Sequence, residues 1–273
     1  KFKVQVKELN AALDVVGIVS PRPITQQGGT GYLFVVRGDR CFVYSWGTQQ
    51  QARADVAAED VEGEGAFIFP VDKIGSLKYI DGWIEFETGH NAEDDRHWVR
   101  YRTEGGASAE RSTFDPRLMQ AHMDGALEKA QETAVYPAAL LREGINLTRG
   151  YLAKPADTRA EDVHKTLQLF DASQESWAKG DGHMLAADGI RACYFYCEAF
   201  QGKGLSIHGQ HLGQVIAFLA KCTGDITIKT GEGLTFAVNS VGHVLAWAHH
   251  VKQHEKFSYY PYNWDTFVLK APK

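Results

Sequence analysis

Apolar and polar positions alternate at period two through much of the chain, interrupted by a few stretches at helical spacing. Phe2, Val4 and Val6 alternate as a first strand, and Leu9, Leu13 and Val16 then share a helix face at i, i+4, i+7. Pro21 and Pro23 stop that helix, and Gln-Gln-Gly-Gly-Thr-Gly at 26–31 is a loop. Runs 32–36 and 41–45 are strands joined by a Gly38-Asp39 hairpin turn. Run 51–56 alternates weakly, an acidic loop covers 59–64, and 66–69 is a buried strand. Pro70 fits the start of a second helix, with Val71, Ile74 and Leu77 as its apolar stripe. Strands 83–87 and 97–102 follow across a polar turn at 89–95, and the polar run 105–115 is expected to be a domain boundary.

The second half repeats this programme. A helix is predicted over 136–152, with Leu140, Gly144, Leu147 and Tyr151 on one face, then a strand over 165–170. Met-Leu-Ala-Ala-Asp-Gly-Ile-Arg-Ala at 184–192 places an Asp188-Gly189 turn between two β-rich runs, the second reaching Tyr196. A strand over 204–207, a helix over 210–221 and an antiparallel pair, 225–229 with 234–238, complete the half. Each half therefore reads strand, helix, strands, helix, strands. That is a structural repeat longer than those of solenoids.

Composition narrows the class. At 273 residues and 44% hydrophobic, the chain can bury a core and supply two domains. It has no run of about 18 apolar residues, so no membrane span is expected. The N-terminal Lys-Phe-Lys-Val-Gln-Val alternates like a strand and lacks the apolar region of a signal peptide. Cys41, Cys193, Cys197 and Cys222 match neither a zinc ribbon nor a redox pair. Cys193 and Cys197, four apart on a strand, would lie roughly 13 Å apart, so buried free thiols in a reducing compartment are expected. The net charge of −5 confines any DNA-binding surface to a small basic face.

No catalytic set emerges. Gly-x-Ser-x-Gly and the phosphate-binding Gly-x-x-x-x-Gly-Lys-Ser/Thr are both absent. Asp188, which with Asp181 and Glu198 could suggest acid–base chemistry, already has a turn role. His208 with His211, or His249, His250 and His254, could ligate a metal, but no zinc spacing appears. Neither a metal nor a cofactor is expected, and the chain reads as a non-enzyme.

The Ala-Ala-Asp-Gly-Ile-Arg-Ala run at 186–192 resembles the Ala-Thr-Asp-Gly-His-Arg-Leu-Ala signature of the bacterial sliding DNA clamp. Phe2-Lys3-Val4 with 9–20 is similar to that family's opening strand and helix. Arg22-Pro23 sits where it has Gly-Arg-Pro near its DNA contacts, and Phe69-Pro70-Val71-Asp72-Lys73-Ile74 is similar to its Val-Pro-Ala-Arg-Lys-Phe step. The resemblance, to the bacterial polymerase III β-subunit and related processivity factors, implies an α+β DNA clamp fold. It comprises two pseudo-repeated domains of antiparallel sheet with two helices each: 1–108, a linker 109–132, and 133–273. Bacterial clamps carry three such domains and pair as dimers. A two-domain chain implies a homotrimer, as in archaeal, eukaryotic and some phage clamps, and hence a phage-like protein.

The same resemblance implies a polymerase processivity factor that encircles duplex DNA, opened by a clamp-loader ATPase, in the cytoplasm at the nucleoid. Its DNA contacts are phosphate contacts from helix-borne cations. The candidates are Lys7, Arg22, Lys73, Lys78, Arg142, Arg149, Lys154 and Lys221, opposed by acids such as Glu8, Asp14, Asp72 and Glu143. Leu118 and Met119 in the linker, with Tyr262, Trp264 and Phe267 in the aromatic C-terminal run, would form a pocket for polymerase peptides. The alternative is a clamp-fold or β-rich adaptor that binds proteins and never encircles DNA.

Overall fold

The computed structural model describes residues 1–23, 30–75, 77, 80–119, 122–169, 182–188 and 190–248. Among them, a strand–helix–three-strand motif occurs four times. The first is β1 (Phe2–Gln5), α1 (Val6–Val16), β2 (Gly31–Arg37), β3 (Arg40–Trp46) and β4 (Gln50–Ala57). The second is β5 (Gly65–Pro70), α2 (Val71–Ile74), β6 (Trp83–Asn91), β7 (Arg96–Thr103) and β8 (Ser108–Thr113). After α3 (His122–Lys129) come β9 (Gln131–Pro137), α4 (Ala138–Thr148), β10 (Thr166–Leu169), β11 (His183–Ala187) and β12 (Ala192–Tyr196). The fourth is β13 (Leu205–His208), α5 (Leu212–Leu219), β14 (Asp225–Gly231), β15 (Leu234–Asn239) and β16 (Val244–Ala248).

Paired motifs exchange their first strands. β1 joins β6, β7 and β8, while β5 joins β2, β3 and β4; β9 and β13 swap in the same way. Every named strand pairing is antiparallel. The fold is thus α+β, as the resemblance implies, with α3 inserted between the halves.

The described residues form two compact units. One combines Lys1–Leu147 with Gln210–Ala248; the other is the described part of Thr148–Gly209. The first contains an eight-stranded sheet in the order β5-β2-β3-β4-β16-β15-β14-β9. Its joint is β4 against β16, with Arg53 opposite Val244 and Gln50 opposite Trp247.

Strand alternation gives this sheet two apolar faces. On one, α1 packs on β3 and β4 through Leu9, Ala12, Leu13 and Val16, and Ser45 Oγ donates to Val19 O at 2.8 Å. A chain of rings from Phe2, Phe34, Phe67, Phe69, Phe86 and Tyr101 ties the β1-β6-β7-β8 sheet to β2 and β5. On the other face, Leu33, Tyr44, Trp46, Ile68, Phe236 and Val244 form a core with Met119, Met123 and Ala126 of the connecting segment. The turn after β14 has positive φ at both Glu232 and Gly233, the geometry that matches strand twist in a two-residue hairpin.

The second unit holds the sheet β12-β11-β10-β13. Leu167, Met184, Leu185, Phe200 and Ile207 are buried within it. Thr148 Oγ1 contacts Met184 Sδ at 3.6 Å.

Several expectations need correction. The polar run 105–115 contains β8, whose six residues are mostly exposed; an edge strand with water on it needs no apolar alternation. Residues 89–91, expected in a turn, extend β6, because Gly89 leaves room for the Trp98 indole, whose ring lies 2.3 Å from where a Cβ would stand. α4 starts at Ala138, since Tyr136 and Pro137 end β9. Its buried stripe is Ala138, Leu141, Ile145 and Thr148, with Gly144 beside it; Leu147 and Tyr151 are exposed. Of the four thiols only Cys41 is buried, while the other three are half-buried. Among the described residues no helix is long and apolar enough to cross a membrane.

Candidate nucleic-acid interface

Of the cations singled out in the sequence, Lys7, Lys73 and Arg142 lie on α1, α2 and α4, and Arg149 and Lys221 follow α4 and α5. On α1, burial of Val6, Leu9, Leu13 and Val16 leaves Lys7, Glu8 and Asp14 on the solvent side. α5 buries Leu212, Val215, Phe218 and Leu219, and its chain continues into Lys221, whose Nζ lies 3.7 Å from Asp14 Oδ2. This ion pair brings the ends of α1 and α5 together on one side of the first unit. Both partners are about half exposed, so the pair itself adds little stability. The start of α5 is anchored too, with Gln50 Nε2 2.5 Å from the buried His211 Nδ1.

Arg22 is exposed, and its backbone N–H donates to Trp46 O at 2.6 Å, so the Arg22-Pro23 segment is fixed to the end of β3. Lys73 on α2 is exposed and pairs with Asp72 at 2.9 Å. Arg142 on α4 is half-buried. In the second unit, Arg149 and Lys154 are exposed. Lys78 lies outside the described residues. In the first unit the exposed cations Lys7, Arg22 and Lys73 share the surface with the exposed acids Glu8, Asp14 and Asp72.

The Asp-Gly-x-Arg run proves to be a self-closing turn. The Asp188 carboxylate accepts from the backbone N–H of Ile190 at 3.0 Å and of Arg191 at 2.7 Å. The Arg191 guanidinium adds contacts at 3.0 and 2.7 Å and lies over the Tyr151 ring. Burial opposes the charge on Asp188, but these donors outweigh it and hold the carboxyl at about 2. The spacing therefore encodes a structural clasp.

In the connecting segment, Leu118 is 54% exposed while Met119 is buried in the core on the sheet. Tyr262, Trp264 and Phe267 lie outside the described residues, as do His249, His250, His254 and Asp181. Among the described residues, His208 and His211 belong to no group of three metal-capable side chains.

No protein-family model and no curated protein matches the sequence. Solved structures do match. The sliding clamp (DNA polymerase III subunit beta) from Pseudomonas aeruginosa bound to griselimycin superposes with TM-score 0.69 at 16% identity, over 93% of this chain and 66% of that one. A putative DNA polymerase III beta subunit from Eubacterium rectale gives TM-score 0.70 at 11% identity, over 99% and 68%. The Caulobacter crescentus clamp gives 0.70 at 13% identity, over 100% and 68%. This chain has the sliding-clamp fold. It spans about two thirds of the length of the clamps it matches.

Within the clamp fold, the repeated motif explains why α1, α2, α4 and α5 occupy equivalent positions: each follows the first strand of its motif. A structural contact that the sequence did not reveal is Asp124, which binds Tyr44, Arg37 and Arg53. Its sequence signal is weak, because Asp124 and Glu128 are both acids of the same short helix.

Proposed function

We propose that this chain is a non-enzymatic sliding clamp. Three copies of its two clamp domains, one for each half of the chain and joined by the segment that carries α3, close a ring around duplex DNA and tether a polymerase. The ring is topological, so weak phosphate contacts from Lys7, Arg22, Lys73, Lys78, Arg142, Arg149, Lys154 and Lys221 suffice, and sliding stays fast. A loader ATPase opens it. Such a clamp works in the cytoplasm of a bacterial or phage-infected cell.

The observation that carries this reading is the pseudo-symmetry of the strands that end each motif. β4 and β16 pair with each other within the chain. Their counterparts, β8 and β12, end their sheets in strand order. β12 exposes Tyr194 at 44% and Tyr196 at 48%, and an exposed edge is a template for another strand. β8 of one copy taking β12 of the next repeats the β4–β16 joint between chains, a head-to-tail contact that generates a closed ring.

The test is solution mass. Light scattering at micromolar concentration should give three times the 30.3 kDa chain mass, and Tyr194→Glu with Tyr196→Glu should dissociate the assembly without unfolding it. A stable dimer would reject three-fold closure. A monomer would favour the protein-binding adaptor.

A further inference from the structure

β6 and β7 bring His90 directly opposite His97, and cross-strand partners share one face of a sheet. The two imidazoles lie 4.4 Å apart. The Trp98 indole covers Gly89 and, one residue along each strand, belongs to the opposite face. The turn then places Asp95 in the left-handed region, φ 50°. Its Oδ1 comes 2.8 Å from His90 Nε2. His97 Nε2 is buried and has no hydrogen-bond partner. The Asp115 carboxylate is 3.9 Å away, but it accepts two contacts from Arg117 Nε at 3.0 and 2.9 Å. One donor atom each from His90, Asp95 and His97 therefore lies within 4.8 Å of the other two.

We propose that His90, Asp95 and His97 form a binding site for a divalent first-row transition ion, with Zn²⁺ as its reference occupant. Two imidazoles and one carboxylate suit zinc, nickel, cobalt or copper, whereas magnesium and calcium prefer all-oxygen sets. Zinc–nitrogen distances near 2.0–2.1 Å require ligand atoms roughly 3.3 Å apart in a tetrahedron. The donors reach that by small side-chain rotations at an exposed turn. The ion gives His97 Nε2 the partner it lacks and replaces the hydrogen bond between His90 and Asp95. Three protein ligands leave the fourth position to water. All three lie within one preformed hairpin, so binding orders little extra chain and pins the β6–β7 turn.

The test uses the full chain stripped with a chelator and titrated calorimetrically with ZnCl₂. One ion should bind per chain, and Co²⁺ should give the visible absorption of a four-coordinate nitrogen–oxygen site. Loss of second-shell partners alone typically costs about 10–100-fold in metal affinity. His90→Ala, Asp95→Asn or His97→Ala, each removing a ligand, should therefore weaken binding by about tenfold or more. His183→Gln, on β11, should bind as the parent does. Circular dichroism in chelator checks that each variant is folded, and zinc should raise the melting temperature of the parent but not of the ligand variants. Absence of zinc binding, or parent-like affinity in folded His90→Ala and His97→Ala, would overturn the proposal.

Discussion

The Tyr44 hydroxyl donates to Asp124 Oδ2 at 2.6 Å, joining the connecting helix to the middle of the eight-stranded sheet. Arg53 reaches the other carboxylate oxygen at 3.1 Å and Arg37 approaches at 3.4 Å. Burial, first, and then the bond to Asp124 push the Tyr44 hydroxyl far above its ordinary range. One acid on α3 thus satisfies three donors on β2, β3 and β4, while Met119, Met123 and Ala126 supply the apolar contact.

Removing either end of this contact should be felt unequally. Asp124→Ala leaves Tyr44 and Arg53 without their acceptor, at a cost of about 1–3 kcal/mol, whereas Tyr44→Phe removes one bond for about 1 kcal/mol. Urea unfolding measures both. Faster amide exchange confined to α3 in Asp124→Ala would locate the effect, and unchanged exchange there would remove Asp124 as the anchor.

Near the β4–β16 joint, the backbone N–H of Asp55 donates to His243 Nδ1 at 3.2 Å. Burial, then the charges of Arg40 and Arg53, lower the His243 pKa. Asp55 balances the two arginines, Arg53 Nε at 3.2 Å and an Arg40 guanidinium nitrogen at 3.6 Å. A histidine with a depressed folded pKa favours the folded state when neutral. Its contribution is present above the unfolded value of about 6.5 and lost as pH falls through the folded one. The urea midpoint should drop as pH falls below about 6.5, and His243→Gln should flatten part of that drop. Equal drops in the two proteins would exclude His243.

What the sequence revealed follows from how strongly each element depends on apolar spacing. α1 and the β2–β3 hairpin at Gly38 were legible because their buried positions recur at regular periods and Gly38 adopts φ 56°. β8 was not, since Glu110 pairs with Arg100 at 2.9 Å on an exposed surface and leaves no hydrophobic trace. The α4 stripe was misread because Leu147 and Tyr151 are apolar yet exposed. At the candidate site, the cations could be named from helix positions, but the Lys221–Asp14 contact joins residues far apart in sequence. Asp188-Gly-x-Arg191 was the most specific signal because its donors and acceptors all lie within four residues.

The phosphate-contact proposal predicts a change in salt dependence. Replacing Arg22, Lys73, Arg149 and Lys221 together by Ala should weaken retention on duplex DNA. Each lost phosphate contact should lower the slope of log K against log salt by roughly 0.9. Lys221→Ala should do so with little loss of stability, because its Asp14 partner is half exposed. An unchanged slope in the quadruple variant would place these side chains away from the DNA path.

The last prediction separates two adjacent linker residues. Leu118 is 54% exposed and Met119 only 9%, the latter packed with Tyr44, Trp46 and Phe236. If the linker contributes to binding a polymerase peptide, Leu118 offers the accessible apolar surface and Met119 holds its backbone in place. Leu118→Ala should weaken binding of a polymerase C-terminal peptide, read by fluorescence anisotropy, while leaving the unfolding midpoint within about 0.5 kcal/mol of the parent. Met119→Ala opens a cavity in the core and should cost about 2–5 kcal/mol. Trp264→Ala should lose peptide binding, since aromatic anchors in pockets carry about 2 kcal/mol or more, and should leave the oligomer intact. Parent-like peptide affinity in both Leu118→Ala and Trp264→Ala would move the pocket elsewhere on the chain.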